Sequence, residues 1–359
     1  MSSDDSVSPP SGDAEIGGYA KRTPGRGGER RRKRGGGETL MVPEADFRSY
    51  YGRQILKSPT WERLDIAGYL FAGGLAAGSS MMAALGDLTG RDSLVRIGRL
   101  GAVGGMSVSF VGLIHDLGRP ARFTNMLRVI KPTSPMSVGT YIISAFSAFA
   151  FPTAAADVAA GLPAVTRLLG SKAPLLQPVT RVAGFAAAGI APMVATYTAV
   201  LIADTAVPAW HEPHKELPFV FAGSAIMAGG SLGALLGATE DTDAARRMVM
   251  AGGVVELAAG EVMERRMGLV AEAFEEGEAG RLMKAAKAAT AGAVVTAALG
   301  RWFPLVGRLS GLLGLAGSAL TRFGIFQAGV QSAEDPRFVV IPQRERLERE
   351  GRANPATRV

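Results

Sequence analysis

The chain has 359 residues, of which 47% are hydrophobic and only 20% are charged, and its formal net charge is +7. Soluble domains carry about 25% charged residues, and here the apolar residues are gathered in long runs, so the composition excludes two soluble domains and favours one membrane bundle. The chain has no cysteine and three histidines. It therefore lacks thiolate ligands for an iron–sulfur cluster and the facing histidine pairs that membrane haems need.

The first 63 residues contain no apolar run long enough to cross a membrane. Residues 1–40 are rich in Ser, Gly, Pro and charge, with a basic run at 30–34, which predicts a disordered basic cytoplasmic tail. Residues 41–63 combine aromatic and basic side chains, such as Tyr50, Arg53 and Trp61. This mixture predicts an amphipathic lead that lies in the lipid headgroup zone.

Five strong apolar segments follow, at 64–86, 95–114, 137–160, 180–205 and 217–238, and each is long enough to span the ~30 Å hydrocarbon core of a bilayer. Three weaker apolar segments come after them, at 246–263, 283–300 and 304–328. We therefore predict an all-α integral membrane protein with about eight transmembrane helices. Its parts would be an N-terminal four-helix bundle at 64–205, a C-terminal four-helix part at 206–333 and a polar C-terminal tail at 334–359.

The last three segments contain charged residues, including Glu256, Glu261 and Arg322. Charges inside a span face protein or a polar cavity, so we expect these helices to pack inward. Glu256 and Glu261 are five residues apart and do not share a helix face. We expect them to pair with Arg265, Arg308 or another basic residue, and a proton wire through them is the open alternative.

The distribution of basic residues predicts which way the chain crosses the membrane. With eight spans, 29 of the 39 Lys and Arg residues lie at the end that carries both termini. Cytoplasmic loops are enriched in Lys and Arg. Both termini, and the loop that connects the second and third spans, are therefore predicted to be cytoplasmic.

That loop, at 115–137, has more polar chemistry than a simple connector needs. It holds His115, Asp116, Arg119, Arg122 and Asn125 at a membrane boundary. A histidine beside a carboxylate and a guanidinium can exchange protons with a quinone oxygen near neutral pH. The alternative is structural: His115 would cap the end of a helix, and Asp116 and Arg119 would form a local ion pair.

Other polar residues lie within or at the ends of the spans. Tyr69, Tyr141, Tyr197 and Asp204 are candidates to line a pocket, because an acidic residue near a membrane span is a candidate functional residue. Tyrosines at span ends are also common interfacial anchors, so that reading stays open.

Metal and nucleotide sites find little support in the sequence. His211-Glu212-Pro213-His214 could bind a metal weakly, but its proline breaks helical spacing, so we interpret it as a plain loop and predict no metal site.

Small residues at GxxxG spacing, Gly74 with Gly78 and Gly101 with Gly105, permit close helix packing. A general enrichment in glycine explains those pairs equally well.

Several motifs taken together resemble one known family. They are Tyr50-Tyr51-Gly52, Lys57-Ser58-Pro59 with Trp61, the Gly-rich run 69–79, His115-Asp116-Leu117-Gly118-Arg119-Pro120, Lys131-Pro132-Thr133-Ser134-Pro135-Met136-Ser137, Arg322-Phe323-Gly324 and Ser332-Ala333-Glu334-Asp335-Pro336. This set is similar to the polysulfide reductase membrane-subunit family of the NrfD/PsrC type. The resemblance is dense over 50–145 and sparser up to 340, and the basic tail has no counterpart that we recognise in the family.

The resemblance implies a haem-free, eight-helix subunit whose N-terminal four-helix bundle binds a quinone, with menaquinone expected. It further implies a docked iron–sulfur (ferredoxin-like) protein and a molybdopterin-type catalytic subunit. The charge distribution places both partners on the cytoplasmic side of a bacterial cell membrane. The chain itself would be a quinone-reactive subunit without the catalytic centre.

Roles for individual residues follow from the same resemblance. His115 and Asp116 would handle protons, while Arg119, Arg122 and Asn125 would order the loop and face the partner. Lys131 belongs to the same docking loop. Tyr141 and Asp204 are pocket candidates that the resemblance does not secure.

Two other functions remain open at this point. A proton-coupled transporter would use the acidic residues for a permeating substrate, although such proteins often show inverted repeats and none is evident here. A purely structural membrane anchor would have the same topology without quinone chemistry.

Overall fold

We describe a computed structural model of the chain that covers residues 54–128, 130–162 and 176–350. The tail at 1–40, most of the lead at 41–63 and the end of the C-terminal tail lie outside the described residues. Within the described residues, every regular element is helical. The helices are α1 (Arg63–Thr89), α2 (Asp92–Asp116), α3 (Arg122–Met126), α4 (Pro135–Ala160), α5 (Leu176–Ala203), α6 (Pro208–His211), α7 (Leu217–Leu236), α8 (Thr242–Met267), α9 (Glu272–Glu275), α10 (Gly277–Leu299), α11 (Pro304–Glu334) and α12 (Arg337–Arg349).

Each of the eight predicted segments overlaps one long helix, which confirms an all-helical membrane protein. Seven of these helices in the described chain are long and apolar enough to cross a bilayer. The exception is α8, which carries several charges at both of its ends as well as Glu256 near its middle. Two glycines of α7 show how α8 lies: Gly223 contacts Glu256 of α8, and Gly230 contacts Val249 of α8. The helix α8 therefore runs antiparallel along α7, with Glu256 on its buried side.

Three helices form the centre of the bundle. Most of α1, α7 and α11 is buried, and α1 packs against α2, α5, α7 and α11. The contact between α1 and α7 is so close that a Cβ atom built on Gly78 would overlap the Ala225 backbone. Gly229 meets Gly78 from the other side. This contact gives the predicted glycine spacing of α1 a packing role.

Consecutive long helices alternate in direction, so the start of α1, the end of α2, the start of α4 and the end of α5 meet at one end of the bundle. We call it the loop end, because it carries the 117–134 loop. Trp61 stacks on Trp210 there, with ring centroids 5.5 Å apart. Arg63 reaches Glu278 at 2.5 Å, which joins the beginning of α1 to the beginning of α10.

The helix α12 also lies at the loop end, outside the spanning helices. Arg337 donates a 2.8 Å hydrogen bond to Asp335 and lies 3.7 Å from Glu272. The hydrogen bond to Asp335 raises the pKa of Arg337 above its ordinary value. The permanently charged guanidinium thus holds α12 against α9.

Ion pairs connect the first four long helices at the end opposite the loop end. Arg99 of α2 makes two hydrogen bonds to Asp157 of α4, at 2.7 and 2.8 Å. Asp87 of α1 accepts from Arg181 of α5 at 2.8 Å. All four helices of the predicted N-terminal bundle are therefore connected at that end, while its exact boundary at 205 stays a prediction.

Candidate functional site

The end of α2 and the beginning of α1 bring a histidine and a carboxylate together. His115 Nδ1 lies 2.5 Å from Asp65 Oδ2, and Glu62 lies beside them. The pairing is possible because α1 and α2 are antiparallel and Gly112 lets them approach: a Cβ there would be 2.9 Å from the Asp65 carbonyl oxygen. We call Glu62, Asp65, His115 and Asp116 the boundary cluster.

The boundary cluster is open to its surroundings. The His115 side chain is 69% exposed, whereas that of Asp65 is 17% exposed. The carboxylate of Asp116 accepts from the backbone N–H of Glu62, which fixes the two helix ends to each other. Asp65 in the first turn of α1 and His115 in the last turn of α2 also suit the helix dipoles. The sequence predicted His115 and Asp116 but missed Asp65 and Glu62.

One helical turn deeper in α1, a tyrosine pair bridges two helices. The hydroxyls of Tyr69 in α1 and Tyr197 in α5 are 2.5 Å apart. Ser109 of α2 donates to the Tyr69 carbonyl oxygen at 3.3 Å, and the Tyr197 ring packs against Gly139 of α4. The pair thus lies where all four helices of the first bundle meet. The sequence predicted both tyrosines as pocket candidates but did not indicate that they contact each other.

Hydrogen bonds to its own backbone groups order the loop between α2 and α4. Arg122 donates from Nη1 to the Leu117 carbonyl oxygen at 3.2 Å, and the Lys131 backbone N–H donates to Ser137 Oγ at 3.0 Å. Arg119 and Asn125 are exposed. Their side chains therefore face outward on the loop end.

Tyr141 lies at the polar edge of an apolar groove between α4 and α5. Its hydroxyl donates to the Leu127 carbonyl oxygen at 3.1 Å, which ties α4 to the loop. The groove is lined by Ile130, Lys131, Pro132, Ser137, Val138, Tyr141, Ile142, Ala145, Ile190 and Met193. One end of the groove is polar and the rest is aliphatic, a surface that suits an amphipathic ring with an apolar tail.

Asp204 lies apart from these features. It follows the last residue of α5 at the loop end and is exposed. In the described part of the chain no hydrogen bond or ion pair joins it to the boundary cluster. Its role as a pocket residue stays a prediction.

The two histidines of the His211-Glu212-Pro213-His214 segment form hydrogen bonds with nearby backbone carbonyl groups. His211 Nδ1 lies 2.9 Å from the Ala203 carbonyl oxygen, and His214 Nδ1 lies 3.2 Å from that of His211. Each ring therefore has one nitrogen engaged by the chain itself. The geometry is that of a structured connection between α5 and α7.

A second charged cluster lies in the middle of the bundle, far from either end of the helices that form it. Arg322 of α11 is fully buried, donates to the Phe221 carbonyl oxygen at 3.1 Å and lies over the Phe221 ring. Glu256 of α8 interacts with it electrostatically and accepts from Thr321 at 2.5 Å. We call these residues the interior cluster.

The structure shows which basic residues lie near Glu256 and Glu261. Glu256 interacts electrostatically with Arg322, at a distance longer than a salt bridge, rather than with Arg308. Glu261 pairs with Arg265 at 2.8 Å, as expected from their spacing. The guanidinium nitrogens Nε and Nη1 of Arg322 and Oε2 of Glu256 have no hydrogen-bond partner among the described residues.

Comparison with known proteins identifies the family. A profile of the polysulphide reductase, NrfD, family matches residues 57–313, which is more than half of the chain. A search of curated proteins finds no match. The match covers the boundary cluster, the tyrosine pair, the groove and most of the spanning helices. The chain therefore belongs to the NrfD polysulphide reductase family and is a membrane subunit of a respiratory oxidoreductase complex.

Proposed function

We propose that this subunit exchanges electrons between a docked iron–sulfur protein and a membrane quinone, with menaquinone as the expected quinone. The observation that carries the proposal is the loop end of the first bundle. There an exposed histidine–carboxylate pair, a partly buried tyrosine pair and an apolar groove lie on the same four helices. A quinone site needs groups that exchange protons, groups that orient carbonyl oxygens and a path for an apolar tail.

The groove fits the chemistry of a quinone. Its aliphatic wall, which includes Val138, Ile142 and Ile190, offers a surface for a ring and a prenyl tail. Ser137 and Tyr141 add hydroxyl groups at its polar edge. A bound quinone supplies the two-electron chemistry, while the chain supplies binding, orientation and proton exchange.

The boundary cluster supports the proton side of this proposal. Asp65 occupies His115 Nδ1, so the ring is held in one orientation and Nε2 is the nitrogen left for exchange with a quinone oxygen or water. Asp116, held by the Glu62 backbone, adds negative charge that stabilises the protonated imidazole. His115 can therefore take up or release a proton without moving its backbone.

The loop supports the docking side of the proposal. Arg119, Arg122, Asn125 and Lys131 are exposed on the loop end, and three of them are basic. A positively charged loop favours encounter with a partner that presents an acidic surface. In this proposal the iron–sulfur protein docks here and connects to a molybdopterin-type catalytic subunit.

The distribution of Lys and Arg supports a cytoplasmic loop end. The structure places the termini of the eight-helix array, the 117–134 loop and α12 at that same end. We therefore propose a multi-pass protein of the bacterial inner membrane with both termini, and the docked partners, in the cytoplasm. A cysteine-accessibility scan of the naturally cysteine-free chain would test this orientation directly.

The proposed function is tested in the purified complex by quinone binding and turnover. His115→Gln and Asp116→Asn are expected to lower electron exchange with a menaquinone analogue at least tenfold. His214→Gln, which changes another exposed histidine of the loop end, is the matched control and should retain wild-type rates. A quinone-site inhibitor should bind the wild-type complex.

Two outcomes would contradict the proposal. Unchanged turnover in both variants, with no binding of quinone analogues, would identify a structural anchor. Solute uptake driven by a proton gradient, in vesicles that contain this chain alone, would identify a transporter.

A further inference from the structure

Three potential metal ligands converge in the boundary cluster. One ligand atom each from Glu62, Asp65 and His115 lies within 4.8 Å of the others. Glu62 and Asp65 are three residues apart at the beginning of α1, so they share one helix face. His115 approaches that face from the end of α2. The ligands thus come from two helices whose relative position is fixed by packing.

The donor atoms suit a zinc ion. One imidazole nitrogen with two carboxylate oxygens is a ligand set that zinc accepts, at bond lengths of about 2.0–2.2 Å, with water completing a tetrahedral site. His115 Nδ1 and Asp65 Oδ2 are already 2.5 Å apart. A small outward movement of the exposed imidazole would let an ion take the place of the shared hydrogen.

The charge around the site also favours a cation. Glu62, Asp65 and Asp116 bring three carboxylates to one imidazole, and none of the three forms an ion pair with Lys or Arg among the described residues. Two arginines close to the cluster in sequence are engaged elsewhere. Arg63 binds Glu278, and Arg122 donates to the Leu117 carbonyl oxygen.

We propose that Glu62, Asp65 and His115 form a zinc-binding site at the loop end and that a bound ion blocks proton exchange there. Zinc would take the Nδ1 lone pair of His115 and the oxygens of the two carboxylates. With the ion on Nδ1, the imidazole keeps its single proton on Nε2 and cannot take up a second one, so His115 can no longer exchange protons with a quinone oxygen. The blocking effect rests on the proposed quinone function, whereas the binding itself does not.

The binding is measured without any quinone, on the complex purified with a histidine-free affinity tag. Titration with Zn²⁺ in a calorimeter is expected to show one strong site per chain that Mg²⁺ does not occupy. His115→Gln and Asp65→Asn should weaken it at least tenfold. His214→Gln is the matched control and should leave it unchanged. Equal zinc affinity in wild type and His115→Gln would overturn the site.

The blocking effect is measured by quinone turnover at increasing Zn²⁺. Zn²⁺ is expected to inhibit the wild-type complex at the concentration at which the calorimetric site fills, and a chelator should restore the rate. His214→Gln is the matched control and should show the wild-type half-inhibitory Zn²⁺ concentration. Turnover that is insensitive to zinc at saturating binding would overturn the blocking effect. A complex without any quinone turnover would refute the proposed function, and the calorimetric titration would still decide the site.

Discussion

The boundary cluster and the interior cluster both place a carboxylate beside a basic side chain, yet their surroundings are opposite. His115 is mostly exposed at the end of α2, whereas Arg322 is fully buried in the middle of α11. Exposed ion pairs contribute little to stability, because water and salt screen them. A buried pair that loses one partner leaves an uncompensated charge, which is strongly destabilising. The boundary cluster is therefore free to exchange protons, and the interior cluster is tied to the packing.

The packing around the two clusters differs in the same way. Arg322 touches Phe221, and a Cβ on Gly74 would lie 3.2 Å from its Nη2 atom, so three central helices enclose the guanidinium. His115 has a single side-chain partner, Asp65, and its ring otherwise faces outward. Substitutions in the centre should thus reduce folding, and those at the boundary should reduce function alone.

The largest effect is expected at the α1–α7 contact beside the interior cluster. Gly78→Leu would drive a side chain into the Ala225 backbone, which cannot move aside as a flexible side chain can. The loss should exceed the roughly 1–3 kcal/mol that is typical of overpacking. Yield of monodisperse protein in mild detergent is the measurement.

Gly104→Leu is the matched control for that substitution. Gly104 lies on the neighbouring helix α2, and a Cβ there would meet nothing within 4 Å. It should give wild-type yield. Equal yields of the two variants would show that the α1–α7 contact is not close in the folded protein.

Removing the buried guanidinium should have the next largest effect. Arg322→Gln removes the charge that acts on buried Glu256 and the hydrogen bond to the Phe221 carbonyl oxygen, and we expect a loss of about 3 kcal/mol, the upper end of the cost of leaving a buried polar group unsatisfied. Thermal unfolding in detergent measures it. Arg308→Gln, on the exposed face of the same helix, is the control and should unfold as wild type does.

The tyrosine pair, between boundary and centre, should show an intermediate effect. Tyr197→Phe leaves the buried Tyr69 hydroxyl without this partner, which should lower stability by about 1–3 kcal/mol. The double variant Tyr69→Phe, Tyr197→Phe removes both hydroxyls and should be closer to wild type in stability. A double variant that loses as much stability as the two single variants together, or more, would contradict a direct hydrogen bond.

The smallest effect on stability is expected at the boundary. His115→Gln should leave the unfolding temperature at the wild-type value, because the side chain is exposed and touches only Asp65. The same variant is expected to impair quinone turnover. A clear drop in the unfolding temperature would instead assign His115 a structural, helix-capping role.

Much of the fold could be predicted from hydropathy, and the differences are concentrated at helix ends. The segment 246–263 lies inside α8, which runs from Thr242 to Met267, and 180–205 overlaps α5, which runs from Leu176 to Ala203. Apolar runs mark the part of a helix that lipid or core surrounds, but polar first and last turns continue the same backbone hydrogen bonding. Hydropathy therefore locates a helix better than it locates its ends.

The candidate site could be predicted only in part. His115, Asp116 and Tyr141 stood out because polar side chains at a membrane boundary are unusual. Asp65 is 50 residues from His115, and Tyr69 is 128 residues from Tyr197, so no local pattern connects the members of either pair. Which side of a helix meets which neighbour depends on how all the helices rotate and pack.

The sequence by itself determined that this chain is an all-helical membrane protein, because long apolar runs have no other stable arrangement in lipid. It also determined the family, through the motifs at 57–61, 69–79 and 115–137. The tertiary structure alone decided that Asp65 orients His115 and that Arg322 is buried against Phe221. Those contacts arise from close packing at Gly112, Gly78 and Gly74, where the absence of a side chain on one helix sets the position of the next.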